Sequence, residues 1–268
     1  MSMKSVSYVV QRFLLRRQLL TAKTSDGLRF RVSAPDVVGR HIFKYGQHDP
    51  AMSAYLRAHV KPNSHDLLID IGANIGWFTV LLGRACQGTD ARVLCFEPDP
   101  LNFDLLQQNL SANATDAITT PLALALSDND EGAVLHQFSE KNRGRHSLLP
   151  IHDHDSVQIP TARLDAVIAA DADLADRHPA VIKIDIEGYE LIALGGAAET
   201  LAKCPLVILE FSPHFMRQGG LEPSALLSLM EGHGFVAHVL RDGKAVAVKT
   251  NDLLAEDQQV DIIWRRPG

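Results

Sequence analysis

Residues 67–76 read Leu67-Leu68-Ile69-Asp70-Ile71-Gly72-Ala73-Asn74-Ile75-Gly76. A short apolar run that ends in an acid and then glycines is the pattern of a buried parallel strand entering a tight turn. The next segment, Trp77 to Cys86, is apolar at 77, 78, 80, 81, 82 and 85, lacks proline, and reads as a buried helix. The unit is therefore strand, glycine turn, helix. Gly72 and Gly76 let the backbone turn sharply and approach a ligand, because a Cβ there would collide or impose strain. The helix that follows aims its first N–H groups at the same place.

A dinucleotide fingerprint, G-x-G-x-x-G, does not fit. Asn74 stands two residues after Gly72, and Gly76 comes too early for a third glycine. That argues against an NAD-dependent oxidoreductase. Asp70 instead offers a carboxylate to a ligand ammonium, and Asn74 can both donate and accept beside a zwitterion. A second strand, residues 91–97, ends in Glu97, where an acid is placed to bind both ribose hydroxyls of a nucleoside. A third, near residues 118–126, ends in Ser127-Asp128. Asp128 either accepts from an adenine amino group or simply begins a turn.

A second constellation is Val181-Ile182-Lys183-Ile184-Asp185-Ile186-Glu187-Gly188-Tyr189-Glu190. With a period of two, Lys183, Asp185 and Glu187 face one side of a strand and the isoleucines the other. Three charges at a strand's C-terminal end are costly to bury without a task, and that end is where open α/β sheets carry their sites. The structural alternative is an ion pair between Lys183 and Asp185 or Glu187. A fifth strand, residues 206–211, brings Glu210 and is followed by Ser212-Pro213-His214.

The chain of 268 residues, 46% hydrophobic, can bury a proper core. Its net charge of −6 gives no global basic field for nucleic acid. Cys86, Cys95 and Cys204 are far apart and read as core thiols rather than metal ligands or disulfides. No apolar run approaches the ~20 residues of a membrane span. Three regions are expected: an amphipathic helix over residues 1–23, a small β/α extension over 24–65, and the main domain over 66–268. In the first, Val6, Val9, Val10, Phe13 and Leu14 share a helical face that continues to Leu19 and Leu20, with Arg12, Arg16 and Arg17 between. The arginines break the run a signal peptide needs, so a cytoplasmic location is expected. Such a helix either lies on an anionic membrane surface or packs on its own domain or on a second copy in a homodimer. In the extension, the runs 28–32 and 42–45 read as a small antiparallel pair, and Asp49-Pro50 as a helix start. Residues 139–160, including His146, read as a lid or substrate loop, and the run His152-Asp153-His154-Asp155 as solvated rather than metal-binding.

The sequence resembles the FkbM family of S-adenosylmethionine-dependent methyltransferases. The resemblance rests on the Asp70–Gly76 turn, Phe96-Glu97-Pro98, Arg163-Leu164-Asp165, the stretch 182–190 and Leu209-Glu210, and spans roughly residues 26–266. Together with the strand–helix alternation it implies an α/β Rossmann-like fold, a mostly parallel seven-stranded sheet with helices on both faces. It also implies S-adenosylmethionine as cofactor and O-methylation of a small-molecule or glycan acceptor. The cofactor site then comprises Asp70, Gly72, Asn74, Gly76, Glu97 and Asp128, and the chemistry falls to Lys183, Asp185, Glu187, Glu210 and His214. The hydroxyl proton would pass to His214 or to a carboxylate, with His146 a weaker candidate. In the alternative, Asp185 and Glu210 hold a divalent cation. A rival from another class is a cofactor-binding module without catalysis.

Overall fold

A computed structural model describes residues 3–139, 142, 144, 146–151, 156–256 and 258–267. The chain opens with α1 (Met3–Val9), which runs on as a π-helical turn to Leu14. A hairpin follows, β1 (Leu19–Lys23) paired antiparallel with β2 (Arg29–Ser33), and then α2 (Val37–Tyr45) and α3 (Pro50–His59). The helix expected to reach Leu20 thus stops short. Leu20 and Ala22 are buried between exposed neighbours, which is the alternation of a strand. The run 42–45, expected to pair with 28–32, is instead the last turn of α2. Asp36 caps that helix by accepting from Gly39 N at 2.8 Å, and Gly46 ends it at φ +69°.

The main body begins with β3 (Asp66–Ile71), α4 (Trp77–Cys86), β4 (Arg92–Phe96), α5 (Pro100–Ala112) and β5 (Thr119–Leu122). Short strands β6 (Ala125–Leu126), β7 (Ala133–His136), β8 (Ser156–Ile159) and β9 (Thr161–Ala162) come next. Then follow α6 (Leu164–Ala170), α7 (Ala172–Ala175), β10 (His178–Ile184), α8 (Glu190–Gly195), α9 (Ala198–Lys203) and β11 (Leu206–Phe211). The chain closes with α10 (Pro213–Gln218), α11 (Pro223–Gly232), β12 (Val236–Arg241), β13 (Lys244–Ala247), α12 (Thr250–Glu256) and β14 (Val260–Arg265).

The central sheet has eight strands in the order β13-β12-β14-β11-β10-β3-β4-β5. β5, β4, β3, β10 and β11 are mutually parallel, whereas β14, β12 and β13 are added by antiparallel pairings. The sheet is therefore mixed, with one strand more than the seven expected. The extra strand is β13, folded back on β12 through Asp242 and Gly243, both at positive φ. Alternation divides the core. Leu68, Val93, Cys95 and Val181 pack on one face with Trp77 and Phe30. Leu67, Ile69, Ile71, Leu94, Phe96, Ile182 and Ile184 pack on the other with Phe211 and Trp264. The cysteines are buried and free, as expected.

Two side-chain devices fix the helices around this sheet. Asn109 of α5 and Asn113 just past its end cover the edge of β2, each amide accepting from a backbone N–H and donating to a carbonyl of Arg31 or Arg29. Asp165 caps α9, its carboxylate accepting from Glu199 N at 2.8 Å and from Thr200 N at 2.9 Å. Among the described residues no helix is long and apolar enough to cross a membrane.

Candidate active site

β3 is flanked by β4, which follows it in the chain, and by β10, which comes much later. Chain order therefore reverses between β3 and β10. Crevices at the carboxyl ends of such strands are where open α/β sheets bind ligands. The two ends meet closely here. Asp185 N donates to Ile71 O at 3.1 Å, and Gly72 sits so near that a Cβ on it would lie 2.0 Å from Asp185 O. Gly72 takes φ +80° and Gly76 φ +86°. Glycine is required at Gly72 by the neighbouring strand's backbone, whereas at Gly76 a Cβ would meet only the movable tip of Leu106 of α5, at 2.7 Å, and the positive φ is what favours glycine. The close approach expected toward a ligand is thus an approach within the protein.

Glu97 ties this turn to the next helix. It is buried, its Oε2 accepts from Asn74 N at 2.7 Å, and its Oε1 accepts from Asp99 N at 2.9 Å. Burial pushes its carboxyl up to about 7. Asp99 in turn caps α5. Above them lies a partly open cavity, lined by Gly72, Asn74, Glu97, Asn102, Asp185 and His146 among others. Phe96, Leu126 and Leu135 give it an apolar wall. His146 Nδ1 accepts from Phe138 N at 3.0 Å, which turns Nε2 toward Asp99 Oδ2 at 3.8 Å.

The charged group stands at the same end of β10. Lys183 Nζ is 3.0 Å from Asp185 Oδ2 and 4.7 Å from the centre of the Phe78 ring. Burial opposes the ammonium charge, but the carboxylates of Asp185 and Asp70 outweigh it and hold Lys183 above its ordinary pKa. Burial likewise opposes the Asp185 charge, yet Lys183 and a hydrogen bond with Glu210 keep that carboxyl low. Glu210 is driven the other way, by burial and by the charges of Asp185 and Glu187. Of the two carboxyls, Asp185 is therefore the one favoured in its charged form. β10 ends at Ile184, so the expected strand alternation stops before Glu187. Glu187 takes φ +53°, an uncommon backbone for a non-glycine residue, and still comes to the cluster. One carboxylate oxygen each from Asp185, Glu187 and Glu210 lie within 4.8 Å of one another, a spacing able to hold a metal ion.

Other expected residues are placed elsewhere. Asp70 is fully buried beneath the turn, where its Oδ2 accepts from Thr79 Oγ1 at 2.6 Å, and it does not line the cavity. Asp128 is exposed in a turn, accepting from Asn129 Nδ2 at 2.7 Å. His214 stands exposed on the first turn of α10, beside Phe215, and also lies outside the lining. The expected loop 139–160 is shortened by β8, which pairs with β7, and Ser147 bridges to His136. The run His152-Asp153-His154-Asp155 lies outside the described residues.

The sequence reading did not single out His48. It precedes the α3 cap Asp49, and its ring lies 6.2 Å from that of Trp77 and 6.0 Å from that of Phe78. Ser53 Oγ donates to His48 O at 2.8 Å and accepts from Trp77 Nε1 at 2.9 Å, which anchors the segment. Burial holds the imidazole below its ordinary pKa, partly offset by Asp185. Asp261, paired across the sheet with Glu210, is pushed up to about 7 by burial and then by Asp49 and Asp185. Only a three-dimensional contact joins these residues, so no local motif could announce them.

A Rossmann-like sheet with its cavity at the β3/β10 reversal defines the methyltransferase class of fold. The solved methyltransferase FkbM from Methylobacillus flagellatus KT shares it, with a TM-score of 0.50 at 19% identity over 83% of this chain and 49% of that one. The chain belongs to the Methyltransferase FkbM domain family, whose model matches residues 70–237. Among curated relatives, the hexuronic acid methyltransferase AglP of Haloferax volcanii is 28% identical over 165 residues, covering 62% of this chain and 61% of that protein. Methyltransferase sdnD of Sordaria araneosa is 26% identical over 166 residues, covering 62% of this chain and 56% of that protein. The match thus spans about three fifths of the length of these relatives.

Proposed function

We propose that the chain is an S-adenosylmethionine-dependent O-methyltransferase acting on a hydroxyl of a sugar, glycan or natural product. The observation that carries this reading is the cavity at the strand reversal, where the Gly72–Asn74 turn and Glu97 face Asp185. The donor set suits a nucleoside: Glu97 keeps free lone pairs for ribose hydroxyls, and Phe96, Leu126 and Leu135 offer an apolar surface for a base. When bound, S-adenosylmethionine supplies an electrophilic methyl on a sulfonium. The chain's own residues must then position the acceptor and take its proton.

Asp185 is a poor base, since Lys183 and the Glu210 carboxyl both stabilise its charge. Burial and the charges of Asp185 and Glu187 disfavour the ionised form of Glu210 that a base needs. His214 is exposed outside the cavity lining. His48 also lies outside the cavity lining, but it is half-buried beside Trp77 and Phe78 and feels the Asp185 charge, and we assign it the hydroxyl proton, with Asp185 stabilising the resulting imidazolium. In a second reading, favoured by the three convergent carboxylates, Asp185, Glu187 and Glu210 hold a divalent cation that lowers the hydroxyl pKa. Loading it requires the three carboxyls to be ionised. The hexuronic acid named for the Haloferax relative makes a glucuronoside the first acceptor to try. Methyl transfer from labelled S-adenosylmethionine to a panel of glycosides, with and without chelator, tests both readings.

A further inference from the structure

The N-terminal region carries a surface that methyl transfer does not use. Residues 1–46 hold nine basic side chains and two acidic ones, a charge of +7 in a chain whose total is −6, leaving −13 on the remainder. Before Asp26 there is no acid at all. The structure gathers these charges beside an apolar tip. α1 and its π-helical turn dock on the body through Tyr8, which is buried, lies 6.1 Å from Phe43 and donates from its hydroxyl to Ala34 O at 2.7 Å. The end of the same helix is open to solvent: Phe13, whose ring meets that of Tyr8 edge-on at 6.4 Å, is 63% exposed, Leu14 74% and Leu15, just past the turn, 57%.

Basic groups ring this tip. The Arg12 guanidinium lies 5.8 Å from the Phe13 ring centre, Arg16 and Arg17 follow directly on the exposed side, and Lys44 Nζ lies 4.7 Å from the Tyr8 ring. Tyr45, 62% exposed, extends the apolar area at the end of α2. Three consecutive large apolar side chains cost free energy in water, and a folded surface seldom displays them without a partner.

We propose that this face binds the surface of an anionic lipid bilayer. Phe13, Leu14 and Leu15 enter the headgroup–acyl boundary, and Arg12, Arg16, Arg17 and Lys44 meet the lipid phosphates. An apolar tip supplies insertion and the flanking cations supply attraction, the two ingredients of interfacial binding. The opposite charge of the remaining chain is repelled by the same surface, so the molecule binds with one orientation. Neither part suffices alone: the cations hold only while salt is low, and the three side chains are too few to anchor the protein to a neutral bilayer.

Flotation of the full chain with vesicles tests this directly. Vesicles of equal parts phosphatidylglycerol and phosphatidylcholine should carry the protein upward at 0.1 M NaCl, whereas pure phosphatidylcholine should not, and 0.5 M NaCl should release most of it. Phe13→Ser with Leu14→Ser, and separately Arg16→Glu with Arg17→Glu, should each weaken binding at least tenfold while melting as the parent does, because all four side chains are exposed. Light scattering supplies the competing outcome. A dimer abolished by Phe13→Ser with Leu14→Ser, together with no flotation, would assign the face to a second copy and overturn the proposal. Flotation that either pair of substitutions leaves unchanged would overturn it equally.

Discussion

Asn74 N donates to Glu97 Oε2 at 2.7 Å, so the residue that turns the chain after β3 is held by the acid that ends β4. The same carboxylate accepts from Asp99 N, at the cap of α5. One side chain thus sets the cavity floor and the two segments flanking it. Glu97→Ala leaves two amide donors without their partner, each costing ~1–3 kcal/mol when buried. The variant should unfold at clearly lower urea than the parent, whereas Glu97→Gln, which keeps one acceptor oxygen, should lose about half as much.

Glycine substitutions separate two kinds of crowding. Gly72→Ala places a Cβ 2.0 Å from the Asp185 carbonyl, a backbone atom that cannot swing away. Gly76→Ala meets the tip of Leu106 at 2.7 Å, which can rotate. Both also pay ~1–2 kcal/mol for φ above zero. Gly72→Ala should be recovered only as aggregate or melt far below the parent; Gly76→Ala should fold with a loss of ~2–3 kcal/mol. Thermal melts of the two rank them.

Buried carboxyls set the pH dependence of stability. Glu190 is fully buried, with Oε1 accepting from Ile186 N and Gly188 N, and burial pushes its carboxyl up to about 7. Glu97 and Asp261 are raised to about 7 as well. For each, the folded state holds a proton that the unfolded chain gives up near pH ~4. The stability this supplies is fully present below that point and is lost as pH rises through about 7. The melting temperature should therefore fall between pH 5 and pH 8, and Glu190→Gln should flatten the fall by ~1–3 kcal/mol of its span. A rise over that interval would contradict these environments.

Much of this was legible in the chain. The turn after β3 and the acids at 97, 185 and 210 are read from apolar runs ending in polar residues, and α11 from its proline start. What was not legible depended on distant contacts. The run 42–45 has strand-forming residues, but the Asp36 cap and the inward face of Ile42 and Phe43 make it helical. β13 is short and largely exposed, so it carries no hydrophobic pattern. α3 and Trp77 bring His48 beside Phe78, and nothing adjacent to it in sequence marks it. Asp70 was expected at the ligand, but Thr79, in the first turn of α4, holds it below the cavity.

The assignment of the proton acceptor makes a contrast between histidines. His48→Gln should lower turnover on a saturating acceptor by ~10²–10⁴, the usual loss of a general base, with cofactor affinity unchanged within a few fold. His214→Ala should keep turnover within a few fold of the parent. Steady-state rates of the two variants check this, and the reverse order would return the role to His214. Loss of all activity with chelator, restored by Mg²⁺ or Mn²⁺, would assign activation of the hydroxyl to a cation held by Asp185, Glu187 and Glu210.

Calorimetric titration with S-adenosylhomocysteine tests the central claim most directly, since it needs no acceptor. The account predicts saturable binding at a single site, weakened at least tenfold by Glu97→Gln, which loses a ribose contact worth ~1.5–3 kcal/mol, and no heat with NAD. Absence of binding by the folded parent chain, or equal binding by Glu97→Gln, would contradict it.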